Sequence, residues 1–166
     1  MITGGNAIVV DKNVWVDFYL PDRPLHAPAT RFINTVEKYN ANLAIPADAV
    51  KDVFYLIGKH MKQLVRENGG TVDEQTACGI RDFAWRCVDH MTDLALSVPL
   101  DDRTAWLTRH YRDITPDYED GSVLASCELC KARYLVTHDR DLAKRADIAT
   151  KTAAEMADLI EKAHGE

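Results

Sequence analysis

The chain has 166 residues, enough for one domain with its own core, and its 46% hydrophobic and 28% charged content is that of an ordinary globular protein. A net charge of −6 argues against a passive nucleic-acid binder, which is normally basic. It leaves room for an enzyme that brings phosphates in with metal ions, because setting aside four acids as ligands leaves a nearly neutral remainder. No apolar run approaches the roughly 20 residues of a membrane helix. Met1-Ile2-Thr3-Gly4-Gly5 lacks the basic and apolar regions of a signal peptide. A cytoplasmic protein with no membrane contact is expected.

Ala7-Ile8-Val9-Val10 reads as a short buried strand that stops at Asp11. From Pro24 to Tyr39 the spacing predicts a helix with Ala29, Phe32, Ile33 and Val36 on one face. Leu43-Ala44-Ile45 is a second strand, stopped by Pro46. The strongest amphipathic pattern follows, from Ala47 to Val65, with Val50, Val53, Phe54, Ile57, Met61 and Leu64 in helical rhythm. Asn68-Gly69-Gly70 ends it. A helix over 72–90 and a strand Leu94–Val98 come next. Asp101 caps a helix to Tyr111, and Thr115-Pro116-Asp117 opens another that runs to Ala132. Tyr134-Leu135-Val136 is a strand ending on Thr137-His138-Asp139. A short helix over 140–144, a fifth candidate strand Ile148-Ala149-Thr150, and a helix Ala153–Ala163 close the chain. Strands alternating with helices predict an α/β fold: one domain over 1–166, with a parallel sheet of four to five strands between two helical layers.

Two strands thus end on aspartates, Asp11 and Asp139. In a parallel sheet both emerge at the carboxyl edge, where open α/β sheets bind their ligands. Converging carboxylates are costly unless a cation joins them, and a divalent metal is the obvious candidate. Asp48 and Asp52 share a helix face at i, i+4 spacing. Asp48 reads as a first-turn charge favoured by the helix dipole, a reason that weakens for Asp52. Asp117, Glu119 and Asp120 crowd one helix start, where acids also serve as caps. A strand followed by Asp also occurs in haloacid-dehalogenase phosphatases, but these need a second aspartate where Asn13 stands, and receiver domains place their acidic pair elsewhere. Cys127-Glu128-Leu129-Cys130 sits within a helical pattern and reads as buried thiols rather than a zinc or redox motif.

These segments together resemble the PIN domain, the nuclease fold of VapC-type toxins and of several RNA-processing enzymes. Val9-Val10-Asp11-Lys12-Asn13 resembles its opening motif, and Asp52-Val53-Phe54-Tyr55-Leu56 the helix bearing its second acid. Asp117 through Ala125 resembles the third segment, and Val136-Thr137-His138-Asp139 the closing Thr-x-Asp motif. The resemblance implies a catalytic cluster of Asp11, Asp52, Asp120 and Asp139. Asp11, Asp120 and Asp139 would ligate Mg²⁺ or Mn²⁺, with Asn13 and Thr137 as supports. It implies hydrolysis of RNA to 5′-phosphate and 3′-hydroxyl ends, a cognate antitoxin and a homodimer. Two departures stand out: Asp52 replaces the usual Glu, and Lys12 the usual Thr. Lys12 and Arg140 are candidate phosphate contacts, and Trp15, Trp85 and Trp106 candidate stacking platforms, Trp15 first among them. His138 should point away from Thr137 and Asp139 by strand alternation. A quiet PIN-like binding protein and a DNA-directed nuclease are the alternatives.

Overall fold

The two strands at the middle of the sheet that open the chain are fully buried, whereas those further out are part-exposed. Ile8–Val10 (β1), Leu43–Pro46 (β2), Ala95–Val98 (β3), Tyr134–Val136 (β4) and Thr150–Lys151 (β5) form one sheet in the order β3-β2-β1-β4-β5. All four pairings are parallel. The structure is a computed structural model that describes residues 6–165, so the expectation for Met1–Gly5 lies outside the described residues. Strand side chains alternate between two cores. Ile8, Val10, Leu43, Ile45 and Val136 pack into one with Trp15, Phe32, Ile33, Val53 and Ile57. Val9, Ala44, Leu135 and Val98 pack into the other with Val123, Leu124 and Cys127. Helices therefore cover both faces, which gives the predicted three layers.

The eight α-helices among the described residues are Lys12–Tyr19 (α1), His26–Tyr39 (α2), Ala47–Glu67 (α3), Glu74–Leu94 (α4), Asp102–His110 (α5), Tyr118–Leu129 (α6), Arg140–Arg145 (α7) and Ala153–His164 (α8). Asp101 caps α5 by accepting from the Arg103 and Thr104 backbone N–H groups, as predicted. Thr152 and Glu155 form a reciprocal capping box on α8. Helix α1 departs from the sequence reading, which assigned no helix there. Its β-branched and aromatic residues, Val14, Trp15 and Val16, are indifferent helix formers, but all three are buried, and packing overrides propensity. β5 also lies later than the predicted Ile148–Thr150: Thr150 and Lys151 are the residues in register with Leu135 and Val136. No described helix is long and apolar enough to cross a membrane.

The sheet order reverses at β1, with β2 on one side and β4 on the other. That switch point opens a crevice at the carboxyl ends of β1 and β4.

Candidate active site

β1 and β4 run in register, Val10 beside Val136, and the Asp11 N–H donates to the Val136 carbonyl at 2.9 Å. The next residues on each strand, Asp11 and Thr137, therefore leave the sheet side by side. The Thr137 hydroxyl donates to Asp11 Oδ2 at 2.8 Å and accepts from the Asp139 N–H at 3.0 Å. One threonine thus holds both strand-ending aspartates. Asp11 is only 5% exposed. Burial raises its pKa above the usual carboxylate value, against the opposing bond from Thr137. Asp139 is exposed, and its Oδ1 caps α7 by accepting from the Asp141 and Leu142 N–H groups. Its other oxygen has no hydrogen-bond partner among the described residues.

Helix α6 brings the third carboxylate. Asp117 caps the helix through the Glu119 and Asp120 N–H groups, which sets Asp120 in the first turn. Asp120 accepts from the Thr115 hydroxyl at 3.1 Å. Its pKa is raised by burial and by the neighbouring charges of Asp117, Asp139 and Glu119. Asp120 and Asp139 therefore share one electrostatic neighbourhood. Asp52 reaches the same edge from α3, but it faces a cation: Lys12 Nζ lies 3.4 Å from Asp52 Oδ2. Lys12 is also ion-paired with Glu119. Burial works to lower the Lys12 pKa, but the bonds and charges of Glu119 and Asp52 outweigh it, and the net shift is upward. In the sequence Glu119 is one of several acids at a helix start; the fold gives it a partner in Lys12. Asp48 accepts from the Ser122 hydroxyl at 2.9 Å, tying α3 to α6.

A second polar group sits beside the cluster and had no assigned role in the sequence. Asp17, 3% exposed on α1, accepts from Arg23 Nε at 2.5 Å and faces His138 Nδ1 at 2.9 Å. Through this contact His138 anchors the turn between Thr137 and Asp139. Burial alone would raise the Asp17 pKa, but the bonds from His138 and Arg23 prevail and lower it. Asn13, Asp17, His138 and Asp139 line a shared cavity of about 370 Å³. Arg140 is exposed beside Thr137, Asp139 and Lys151 on a neighbouring cleft. Trp15 corrects the sequence reading: it is 0% exposed and stacks on Tyr19, so no base can reach it. Trp85 and Trp106 are the exposed indoles, 54% and 56%. Cys127 and Cys130 are buried free thiols, as expected.

The donor set suits a hard divalent cation, because every acid or hydroxyl at the edge offers oxygen. Asp11, Asp120 and Asp139 also lack any cationic partner among the described residues. Their present spacing stops short of a closed cage: no group of three or more His, Cys, Asp or Glu side chains among the described residues converges on one point. Asp139 is turned to the α7 backbone, and Lys12 stands between Asp52 and Glu119. Because Thr137 orients Asp11 and holds the Asp139 backbone, Thr137→Val should lower any metal-dependent activity roughly 10- to 100-fold, the usual effect of losing a support of this kind. Rates measured alongside melting curves check this; an unchanged rate would remove Thr137 from the site.

The family model for the PIN domain matches residues 7–141. No curated protein matches the chain. Among solved structures, the chain is similar to FitAcB from Neisseria gonorrhoeae, with 15% identity, a TM-score of 0.61 and 88% of this chain aligned to 97% of that one. It is also similar to VapBC2 from Rickettsia felis bound to a DNA fragment from their promoter, with 11% identity, a TM-score of 0.59, and 88% and 98% covered. At such identities these are likenesses of fold. The family match covers most of the sequence and includes all four acids, the parallel sheet agrees with it, and the chain belongs to the PIN-domain family.

Proposed function

We propose that this protein is a divalent-metal-dependent endoribonuclease that hydrolyses RNA phosphodiester bonds, and that it is the toxin of a toxin–antitoxin pair. The observation that supports this most is the edge where Thr137 joins Asp11 to Asp139 while Asp120 enters from α6. Asp11, Asp120 and Asp139 would hold Mg²⁺ or Mn²⁺. The ion would supply charge stabilisation at the phosphate and a nucleophile from water. The chain's own part is orientation. Thr137 fixes the Asp11 carboxylate, Asn13 lies in the adjoining cavity, and the Asp17–His138 contact steadies the turn that carries Asp139. Arg140 is exposed at the mouth, where it can meet a phosphate.

The toxin reading draws on the likeness to FitAcB and VapBC2. A groove of about 520 Å³ between α3 and α4 offers a surface for an antitoxin. Phe54, Ile80 and Ala84 line it with Lys59, Lys62 and Arg66, a combination that suits an amphipathic segment with acidic flanks. The PIN resemblance further suggests a homodimer.

Incubation of the purified protein with single-stranded RNA and Mg²⁺ or Mn²⁺ tests the activity. Cleavage to 5′-phosphate ends, stopped by a chelator, is expected. Cleavage of DNA alone would move the substrate assignment. A folded protein that cuts neither would favour the quiet binding protein, which the tie between Asp52 and Lys12 makes the second reading.

A further inference from the structure

The acidic edge divides into two halves that differ in their countercharge. In one half, Asp52 and Glu119 share the Lys12 ammonium. In the other, Asp11 is bonded by a hydroxyl, Asp120 by a hydroxyl, and Asp139 by backbone N–H groups. None of these partners carries charge. We propose that Lys12 permanently fills one cation position at this edge, so that the protein takes a single divalent ion, on Asp11, Asp120 and Asp139, and never a pair.

Several features support a fixed role for this lysine. Its side chain is only 15% exposed, although a lysine of a nuclease that served as a mobile phosphate contact would be expected in water. It stands in the first turn of α1, directly after Asp11, so its stem starts from a packed helix. Its two partners come from different helices, Asp52 from α3 and Glu119 from α6, so the ammonium bridges two elements. A divalent ion brought to Asp52 and Glu119 would have to displace an ammonium that already offsets one of their two charges, and would then repel it. The three remaining carboxylates have no such occupant. Asp52, shorter by one methylene than the usual glutamate of the family, is bound to Lys12 rather than left free for metal.

The inference rests on the metal-dependent reading above and is tested with the metal alone. Mn²⁺ is titrated into the chelator-treated protein, with the free ion followed by electron paramagnetic resonance and the heat by calorimetry. One Mn²⁺ per chain is expected for the native protein, and two for Lys12→Met, which keeps the length and removes the charge. Lys12→Arg should keep one. Should the methionine variant unfold, Lys12→Gln serves in its place. Two ions on the native protein, or one on the native and neutral variants alike, would overturn the role of Lys12 while leaving the nuclease reading standing. No uptake by any of them would overturn both.

Discussion

Asp11→Asn should lower cleavage by at least about 100-fold, beyond what loss of a supporting residue costs, and should also raise the melting temperature of the metal-free protein. Both effects follow from one fact: Asp11 is a buried carboxylate without a cation. Its folded-state pKa lies above its unfolded value, chiefly through burial. Its contribution to stability is therefore most favourable below the unfolded pKa and is lost as pH rises through the folded one. Wherever the carboxyl is ionised in the folded protein, it carries a charge that folding has stripped of water. Asparagine has the same shape, can still accept from Thr137, and has no charge to desolvate. A gain of a few degrees in chelator is expected at pH 7, shrinking as pH falls and the native aspartate takes up its proton. Saturating Mn²⁺ should reverse the order, because only the aspartate gains from the ion. Melting curves at pH 7 and below, with and without Mn²⁺, check each part. A variant less stable than the native protein in chelator at pH 7 would contradict the account.

Asp17→Ala should produce the largest loss of stability. The carboxylate is almost fully enclosed and serves Arg23 and His138 at once. Removing one member of a buried ionic group strands the others, at a cost of roughly 3–5 kcal/mol, here towards the lower end because the Arg23 side chain is 33% exposed. For a chain of this size that lowers the melting temperature by about 10 °C. Asp17→Asn, which keeps one acceptor, should lose less. The pH dependence has the opposite sign to that of Asp11. The Asp17 pKa is depressed, because the bonds from His138 and Arg23 overcome its burial. Its stabilisation is present above the unfolded carboxylate pKa, about 3.9, and disappears as pH falls through the lower folded value. The acid limb of the native melting profile should flatten in Asp17→Asn. A melting temperature within a degree of native would show that the contact contributes nothing. Because His138 lies between Thr137 and Asp139, Asp17→Asn should also slow cleavage at temperatures where it remains folded.

The sheet, most of its helices and the two aspartates that end its strands were legible in the amino-acid order because each is a local pattern. Ile8-Val9-Val10 is wholly inside the protein and Tyr134-Leu135-Val136 nearly so, and their apolar runs say so. The amphipathic rhythm of α3 marked that helix to within two residues of its end. Parallel pairing then carried Asp11 and Asp139 to one edge without further information, since strand ends in such a sheet have one direction. The stretch after Asp11 was less readable, because Val14, Trp15 and Val16 are helical only by virtue of being buried.

Charge partnership was decided by tertiary structure alone. Lys12 lies 40 residues from Asp52, and Asp17 lies 121 from His138. Ion pairs depend on distances of a few ångströms, which separation along the chain does not encode. A lysine that reads as a phosphate contact in sequence is turned inward to two carboxylates. A tryptophan that reads as a stacking platform is sealed beneath the sheet. The sequence by itself determined that Asp11 and Asp139 reach one edge, because hydrophobic runs set the strand ends and parallel strands share a direction. The tertiary structure decided which acids there keep an unmet charge, because that depends on what else the packing brings alongside them.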